Sequence, residues 1–191
     1  MFNNIKYGLS LAVVLLLPQI ALAHPGHSHG LLGGLVHPFT GIDHILGMLS
    51  IGVWATARKD NNKLLFFVMY IIGLVVGGMI GIDYKLQVNI DLMIALSVGI
   101  TSLFIIRHVN TMLVIQSLLT VIFSFSHGLA HGSEIPSLAH PGAYILGFIL
   151  SSSILFLLGG VLGKFLSLHP NLKQNTGYFF LLSAIGLILE S

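Results

Sequence analysis

The stretch TMLVIQSLLTVIFSFSHGLAH, residues 111–131, contains no Asp, Glu, Lys or Arg, and it decides what kind of fold the chain can form. A helix needs about 20 mostly apolar residues to cross the hydrocarbon core of a bilayer. Inside lipid the backbone must satisfy its own hydrogen bonds, so an apolar run of this length forms a helix. The stretch therefore predicts a membrane-spanning helix with histidines at its end.

The whole chain has the composition of an integral membrane protein. Of its 191 residues, 55% are hydrophobic and 7% are charged, whereas soluble domains carry about 25% charged residues. Cysteine is absent, which excludes disulfides and thiolate metal sites. The basic residues form no patch, so no nucleic-acid partner is expected. Five further apolar runs predict an all-α, polytopic membrane protein with six transmembrane helices, the other five at roughly 39–57, 64–82, 90–106, 141–163 and 176–189.

The first 23 residues have the pattern of a secretory signal peptide. Lys6 supplies a positive charge, an apolar segment follows, and the sequence ALA at 21–23 is a small-residue cleavage site. We expect residues 1–23 to be removed and residues 24–191 to form the six-helix domain. The alternative is an uncleaved first membrane helix. Removal would place the mature N-terminus outside the cytoplasm.

The basic residues between the predicted spans indicate the same orientation. Cytoplasmic loops of membrane proteins carry an excess of Lys and Arg. With an extracytoplasmic N-terminus, the outer loops contain only Lys85, and all other basic residues after the signal peptide fall in inner loops. We therefore expect a multi-pass protein in the lipid bilayer of a bacterial-type plasma membrane. The inner-loop residues are Arg58, Lys59, Lys63, Arg107, Lys164 and Lys173.

Two histidines and a glutamate share one face at the end of the fourth span. An α-helix advances about 100° per residue, so positions i, i+4 and i+7 fall within an arc of about 60°. His127, His131 and Glu134 have this spacing. Two imidazoles and a carboxylate suit a borderline divalent cation such as nickel, cobalt or zinc. We interpret them as metal ligands, with Gly128 and Gly132 leaving room around the histidines; the alternative is a set of polar residues at a helix end.

A second polar group, HPFTGIDH at 37–44, opens the first span. His37 and His44 are seven residues apart and lie close to the same helical face. Asp43 either binds the metal directly or accepts the spare N–H of a ligand histidine; alternatively, it only complements the dipole of the helix N-terminus. Span one starts at the membrane surface where span four ends. The two groups therefore predict one shared metal site on the extracytoplasmic side.

The motif HPFTGIDH at 37–44 and the motif HGLAHGSE at 127–134 together resemble the HupE/UreJ family of nickel and cobalt permeases, over essentially the whole chain. One departure is Ser126, which stands where the family pattern has phenylalanine. The resemblance implies uptake of Ni²⁺, or Co²⁺ in some members, for metalloenzyme assembly. It carries the family's functional residues onto His37, Asp43, His44, His127, His131 and Glu134.

The sequence thus predicts a transporter and not an enzyme, and a secondary transporter because no Walker A loop for ATP hydrolysis is present. No tightly bound cofactor is expected; the divalent ion, with Zn²⁺ as a further candidate, is the transported substrate. The main alternative is an intramembrane zinc hydrolase, in which Glu134 or Asp43 would activate water, although His-Glu-x-x-His is absent. A third alternative is a metal sensor or a haem-carrying subunit. The sequence leaves open a homo-oligomer and contact with downstream metalloenzyme maturation proteins.

Other residues are weaker candidates. The leader histidines His24, His27 and His29 either collect metal ahead of the pore or form only a disordered polar segment. Met48 lies one turn below His44, where a packing role is favoured over a thioether ligand. His140 either joins the site or lies at the outer surface without a metal role.

Overall fold

A computed structural model of the chain describes residues 30–56, 62–83, 89–107, 112–137 and 139–191, and in these ranges every regular element is helical. A short helix, α1 (Leu31–Val36), leads through a 3-10 turn (His37–Phe39) into α2 (Ile42–Ala55). The predicted signal peptide and the leader histidines lie outside the described residues. Five longer helices follow: α3 (Lys63–Asp83), α4 (Ile90–Arg107), α5 (Leu113–Ser133), α6 (Pro141–Ser167) and α7 (Pro170–Glu190).

Four of the described helices, α3 to α6, are long and apolar enough to cross a bilayer. The first predicted span corresponds to α2, whose 14 residues rise only about 21 Å against a hydrocarbon core of about 30 Å. Helix α7 has 21 residues and is not among the four; its first two turns contain Lys173 and Gln174. Of the six predicted spans, the described residues therefore establish four as apolar helices of sufficient length.

The helix is interrupted between α1 and α2, whereas the sequence predicted a continuous span from residue 39. Pro38 has no N–H with which to continue a helix and lies in the 3-10 turn. The carbonyl of His37 accepts hydrogen bonds from the N–H of Thr40 at 2.9 Å and from its hydroxyl at 2.7 Å. Gly41 then takes an extended backbone, and α2 begins at Ile42. The break leaves His37 in a turn, with its ring centroid 5.9 Å from that of His44.

Helices α3 and α5 pack backbone against backbone. The four-residue spacing of Gly73, Gly77 and Gly81 predicts a close-packing face on α3, and the structure confirms it. A side-chain carbon at any of the three would collide with α5. Gly128 and Gly132 of α5 lie in turn against the backbone of α3. The expectation that these two glycines leave room around the histidines is wrong, because they face α3.

The order of these contacts gives the helix directions. Successive glycines of α3 contact successive residues of α5 in rising order, so the two helices run parallel. The first chain segment runs parallel to α6, since Gly147 lies against α1 and Gly159 against Leu49 of α2. Helices α4 and α7 run antiparallel, because Gly177 near the start of α7 contacts Ile106 near the end of α4. A chain that passes back and forth through a membrane produces these directions.

Helix α2 is enclosed by the other helices. None of its residues is exposed, and 10 of its 14 residues are buried. Met48 and Ile51 are fully buried in the hydrophobic core, so Met48 has the packing role favoured for it. Trp54 stacks on Phe104 of α4 with ring centroids 5.1 Å apart. Polar side chains on α2 therefore face neighbouring helices and not lipid.

Replacing Gly77 by alanine should destabilise the fold. The added methyl group would collide with the carbonyl of Phe125, and α3 would have to move away from α5 at a cost of about 1–3 kcal/mol. The matched control is Gly186→Ala on α7, where no atom lies within 4 Å of the added carbon. Thermal unfolding in detergent compares the two variants, and equal melting temperatures would contradict the close contact.

Candidate metal centre

Four of the six predicted site residues converge at one end of the helix bundle. His37, His44, His131 and Glu134 each offer one ligand atom, and these atoms all lie within 4.8 Å of one another. Opposite ligands of an ion bound at about 2.1 Å lie about 4.2 Å apart. A small inward movement of these side chains would therefore let them share one ion.

The outer part of this cluster is a pair formed by His37 and Glu134. Helix α5 ends at Ser133, and the N–H of Glu134 still donates to the carbonyl of Ala130 at 3.1 Å. The Glu134 carboxylate accepts a hydrogen bond from Nε2–H of His37 at 2.9 Å. The side chains of His37 and Glu134 are 29% and 45% exposed, respectively. The pair is therefore the part of the cluster that an ion outside the bundle reaches first.

Asp43 lies beside the cluster and supports one of its histidines. Its carboxylate accepts a hydrogen bond from Nδ1–H of His44 at 2.7 Å. This contact fixes the tautomer of His44, so that its Nε2 keeps a lone pair for a ligand. Asp43 itself is outside the group of four convergent residues. Of the roles considered for it from the sequence, the geometry matches the one in which it orients a ligand histidine.

His131 forms the buried centre of the cluster. Its side chain is fully buried, and neither ring nitrogen has a hydrogen-bond partner among the described residues. Its ring centroid lies 4.5 Å from that of His44 and 4.9 Å from that of His37. Buried polar atoms nearly always have a hydrogen-bond partner. A cation bound between these rings would supply the missing partner for one nitrogen of His131.

The structure places His127 one helical turn deeper than His131 and outside the convergent group. Its Nδ1–H donates to the carbonyl of Phe123 at 2.9 Å, which leaves Nε2 as the nitrogen with a lone pair. This Nε2 is buried without a partner in the described part of the chain and lies against Gly47. Of the up to four imidazoles and two carboxylates expected to converge, His127 therefore lies outside the convergent group, because the pitch of α5 carries it below the cluster; its role as a metal ligand stays a prediction.

Two aromatic residues of α6 complete the wall of the cluster, and the sequence did not single them out. The Phe148 ring stacks on His131 with centroids 5.0 Å apart, and the Tyr144 ring lies 5.9 Å from that of His37. Their four-residue spacing on a predicted span could have indicated that both rings lie on one helix face. His140, which was considered instead, is exposed, and its Nδ1 accepts the N–H of Ala143 at 3.4 Å to cap α6.

Apolar helices of membrane-spanning length around a partly buried cluster of three imidazoles and one carboxylate define the class: a multi-pass membrane protein with a candidate site for a divalent ion. The family model described as HupE / UreJ protein matches residues 11–189. Protein HupE of Rhizobium leguminosarum bv. viciae is 34% identical over 146 residues, which cover 76% of each chain. No solved structure matches the chain. The chain belongs to the HupE/UreJ family.

Family membership gives the chain a permease-type role in nickel or cobalt transport and makes it a transporter, not an enzyme. The intramembrane zinc hydrolase weighed from the sequence is therefore set aside. The match covers both motif regions and all the long helices described above.

Replacing Asp43 by asparagine should weaken binding of Ni²⁺ to the purified protein. Asparagine is a poorer acceptor for Nδ1–H of His44, and losses of such supporting contacts cost about 10- to 100-fold in metal affinity. Isothermal titration of detergent-solubilised protein measures the change. Asp83→Asn is the control, since Asp83 is an exposed acid at the same end of the bundle. Equal affinities in wild type and Asp43→Asn would show that this contact does not support a ligand.

Proposed function

We propose that the protein imports Ni²⁺, with Co²⁺ as the alternative cargo, through the cluster formed by His37, His44, His131 and Glu134. The observation that carries the proposal is the convergence of three imidazoles and one carboxylate within 4.8 Å in a member of a permease family. This ligand set suits borderline divalent cations. Zn²⁺ has similar preferences, so competition between ions is part of the test below.

The exposure of the ligands suggests the order in which they act. An arriving ion first replaces the hydrogen bond between His37 and Glu134, whose side chains are the more exposed pair. It then meets His44, held in the required tautomer by Asp43, and the buried His131. Three imidazoles and one carboxylate form a ligand set without thiolates that suits a borderline divalent ion. A change in helix packing would then open the far side of the bundle.

Six crossings of the membrane complete the proposed architecture. The broken segment α1–α2 covers 31–55, a rise of about 37 Å if both parts contribute to one crossing, and α7 is the sixth crossing. Broken helices at a membrane-embedded ion site are typical of secondary transporters. Cleavage of residues 1–23 would leave the mature N-terminus and the cluster on the outer side of a bacterial-type plasma membrane. The biased distribution of Lys and Arg supports this orientation.

The same proposal has consequences for the driving force of uptake and for the partners of the protein. The sequence contains no Walker A loop for nucleotide hydrolysis, so uptake would be driven by coupling to protons or by the membrane potential alone. Metalloenzyme maturation proteins in the cytoplasm would receive the ion. All four proposed ligands come from one chain, so a homo-oligomer is not required to complete the site.

Purified protein in sealed liposomes should move Ni²⁺ inward along a gradient, and His44→Ala and His131→Ala should each abolish this flux. Both histidines lie inside the cluster, and each substitution removes one of its four ligands. Glu134→Gln should impair flux strongly, because it removes the charge and keeps the shape. The measurement is metal accumulation against empty liposomes, with Co²⁺ and Zn²⁺ as competitors.

His169→Ala is the control for these variants, since His169 is an exposed histidine whose Nδ1–H donates to the carbonyl of Phe165 at 3.1 Å, away from the cluster. It should transport as wild type does. Each variant is checked for folded protein in the membrane. Tightly held stoichiometric Zn²⁺ without ion flux in the wild type would overturn the transporter proposal.

Reporter fusions test the proposed topology. A reporter fused after Lys63, Arg107 or Lys173 should report the cytoplasm, because these positions follow basic inner loops. A reporter fused after Lys85 or Ser137 should report the outside. The readout is a pair of enzymes active on opposite sides of the membrane. A cytoplasmic signal after Ser137 would place Glu134 at the inner surface and contradict uptake from outside through this cluster.

A further inference from the structure

A series of buried polar side chains extends from the cluster of His37, His44, His131 and Glu134 toward the opposite end of the bundle. They lie on the facing sides of α2, α4 and α5, where apolar packing would otherwise be expected. Ionisable residues inside membrane helices are rare and often mark substrate pathways, and the series includes one of them, His127. Each is at most 1% exposed: Ser50 on α2, Thr101 on α4, and Gln116, Thr120 and His127 on α5.

His127 joins these residues to the cluster. Its ring centroid lies 6.2 Å from that of His44, and its Nε2 is buried without a partner in the described part of the chain. This nitrogen lies against Gly47, where any side chain would collide with the imidazole. Gly47 thus provides the space that the imidazole occupies, and Nε2 of His127 faces the interface of α2 and α5. A group able to accept an ion from His44 is present one turn below the cluster.

Two hydroxyl groups follow on the same face of α2 and on α4. The hydroxyl of Thr101 donates to Oγ of Ser50 at 2.9 Å, and the hydroxyl of Ser50 donates to the carbonyl of Gly47 at 2.9 Å. Thr101 has an alternative acceptor on its own helix, the carbonyl of Ser97 at 2.8 Å. Each hydroxyl can therefore direct its hydrogen to a helix carbonyl and present its oxygen lone pairs to a cation.

Gln116, near the start of α5, is the last residue of this series and lies at the end farthest from the cluster. Its Nε2–H donates to the carbonyl of Trp54 at 3.2 Å, which ties the start of α5 to the end of α2. The hydroxyl of Thr120 donates to the backbone carbonyl of Gln116 at 2.8 Å. Gln116 and His131 are separated by about 22 Å along α5, so the polar series extends over most of the helix.

We propose that His127, the Ser50–Thr101 hydroxyl pair and Gln116 form the translocation path that receives the ion from the cluster, with the Gln116–Trp54 contact as its closure at the far end. The inference rests on the proposed transport function and adds the residues that act after binding. An ion leaving the cluster would pass from imidazole to hydroxyl and amide oxygens, which are harder and weaker ligands for these ions. Weaker ligands would hold the ion only briefly below the cluster, so that its concentration gradient or the membrane potential can drive it onward.

The test separates binding from movement. Thr101→Val and Ser50→Ala are measured for Ni²⁺ affinity by titration of purified protein, and for maximal Ni²⁺ uptake rate in liposomes at saturating Ni²⁺. Both variants should keep the wild-type affinity, because neither residue belongs to the cluster. Loss of one hydroxyl ligand should lower the maximal rate about tenfold, and Thr101→Ser should restore it.

Ser151→Ala is the matched control, since Ser151 is an equally buried serine whose hydroxyl donates to the carbonyl of Gly147 of its own helix at 3.1 Å. It should change neither quantity. Unchanged uptake in both Thr101→Val and Ser50→Ala would overturn the path, as would an equal loss of rate in Ser151→Ala or a parallel loss of affinity. A wild-type protein that neither binds nor moves Ni²⁺ would instead refute the proposed function itself.

Discussion

The burial of imidazoles inside an apolar helix bundle is the constraint on which the site depends. His131 is fully buried with both ring nitrogens unpartnered in the described residues, and Nε2 of His127 is in the same position. An unsatisfied buried polar atom costs about 1–3 kcal/mol. Packing elsewhere must offset this cost, and a bound cation would reduce it. The same burial that costs stability would therefore favour a divalent ion bound at the proposed site.

That packing comes from close contacts between helix backbones. Gly77 and Gly128 bring α3 against α5, while Gly159 brings α6 against α2. Without a hydrophobic driving force between helices in lipid, close backbone approach is a main source of helix association. The consequence for the site is positional: α5 is held on one side by α3, so its histidines face α2 and not lipid.

The turn between α1 and α2 determines where His37 lies relative to the other residues of the cluster. A continuous helix would place His37 two turns from His44 along one helix face, whereas the turn at Pro38 allows His37 to reach both Glu134 and His131. The first chain segment thus supplies one half-buried and one buried histidine to the proposed site. Such a site, with one side open to water and one side buried, would let an ion pass from water into the protein, and the buried hydroxyl groups below it would extend the proposed route.

The sequence by itself determined the helical class, four long apolar helices, the close-packing face of α3, and the stripe that brings His131 and Glu134 to one side of α5. These features depend on local geometry, because composition requires helices in lipid and the helical pitch sets which residues share a face. Only the tertiary structure decided that His37 reaches Glu134, that His127 lies below the cluster against Gly47, and that Phe148 covers His131. Those contacts join different helices or a turn to a helix, and their geometry is set by how closely the backbones approach, which no spacing along a single helix specifies.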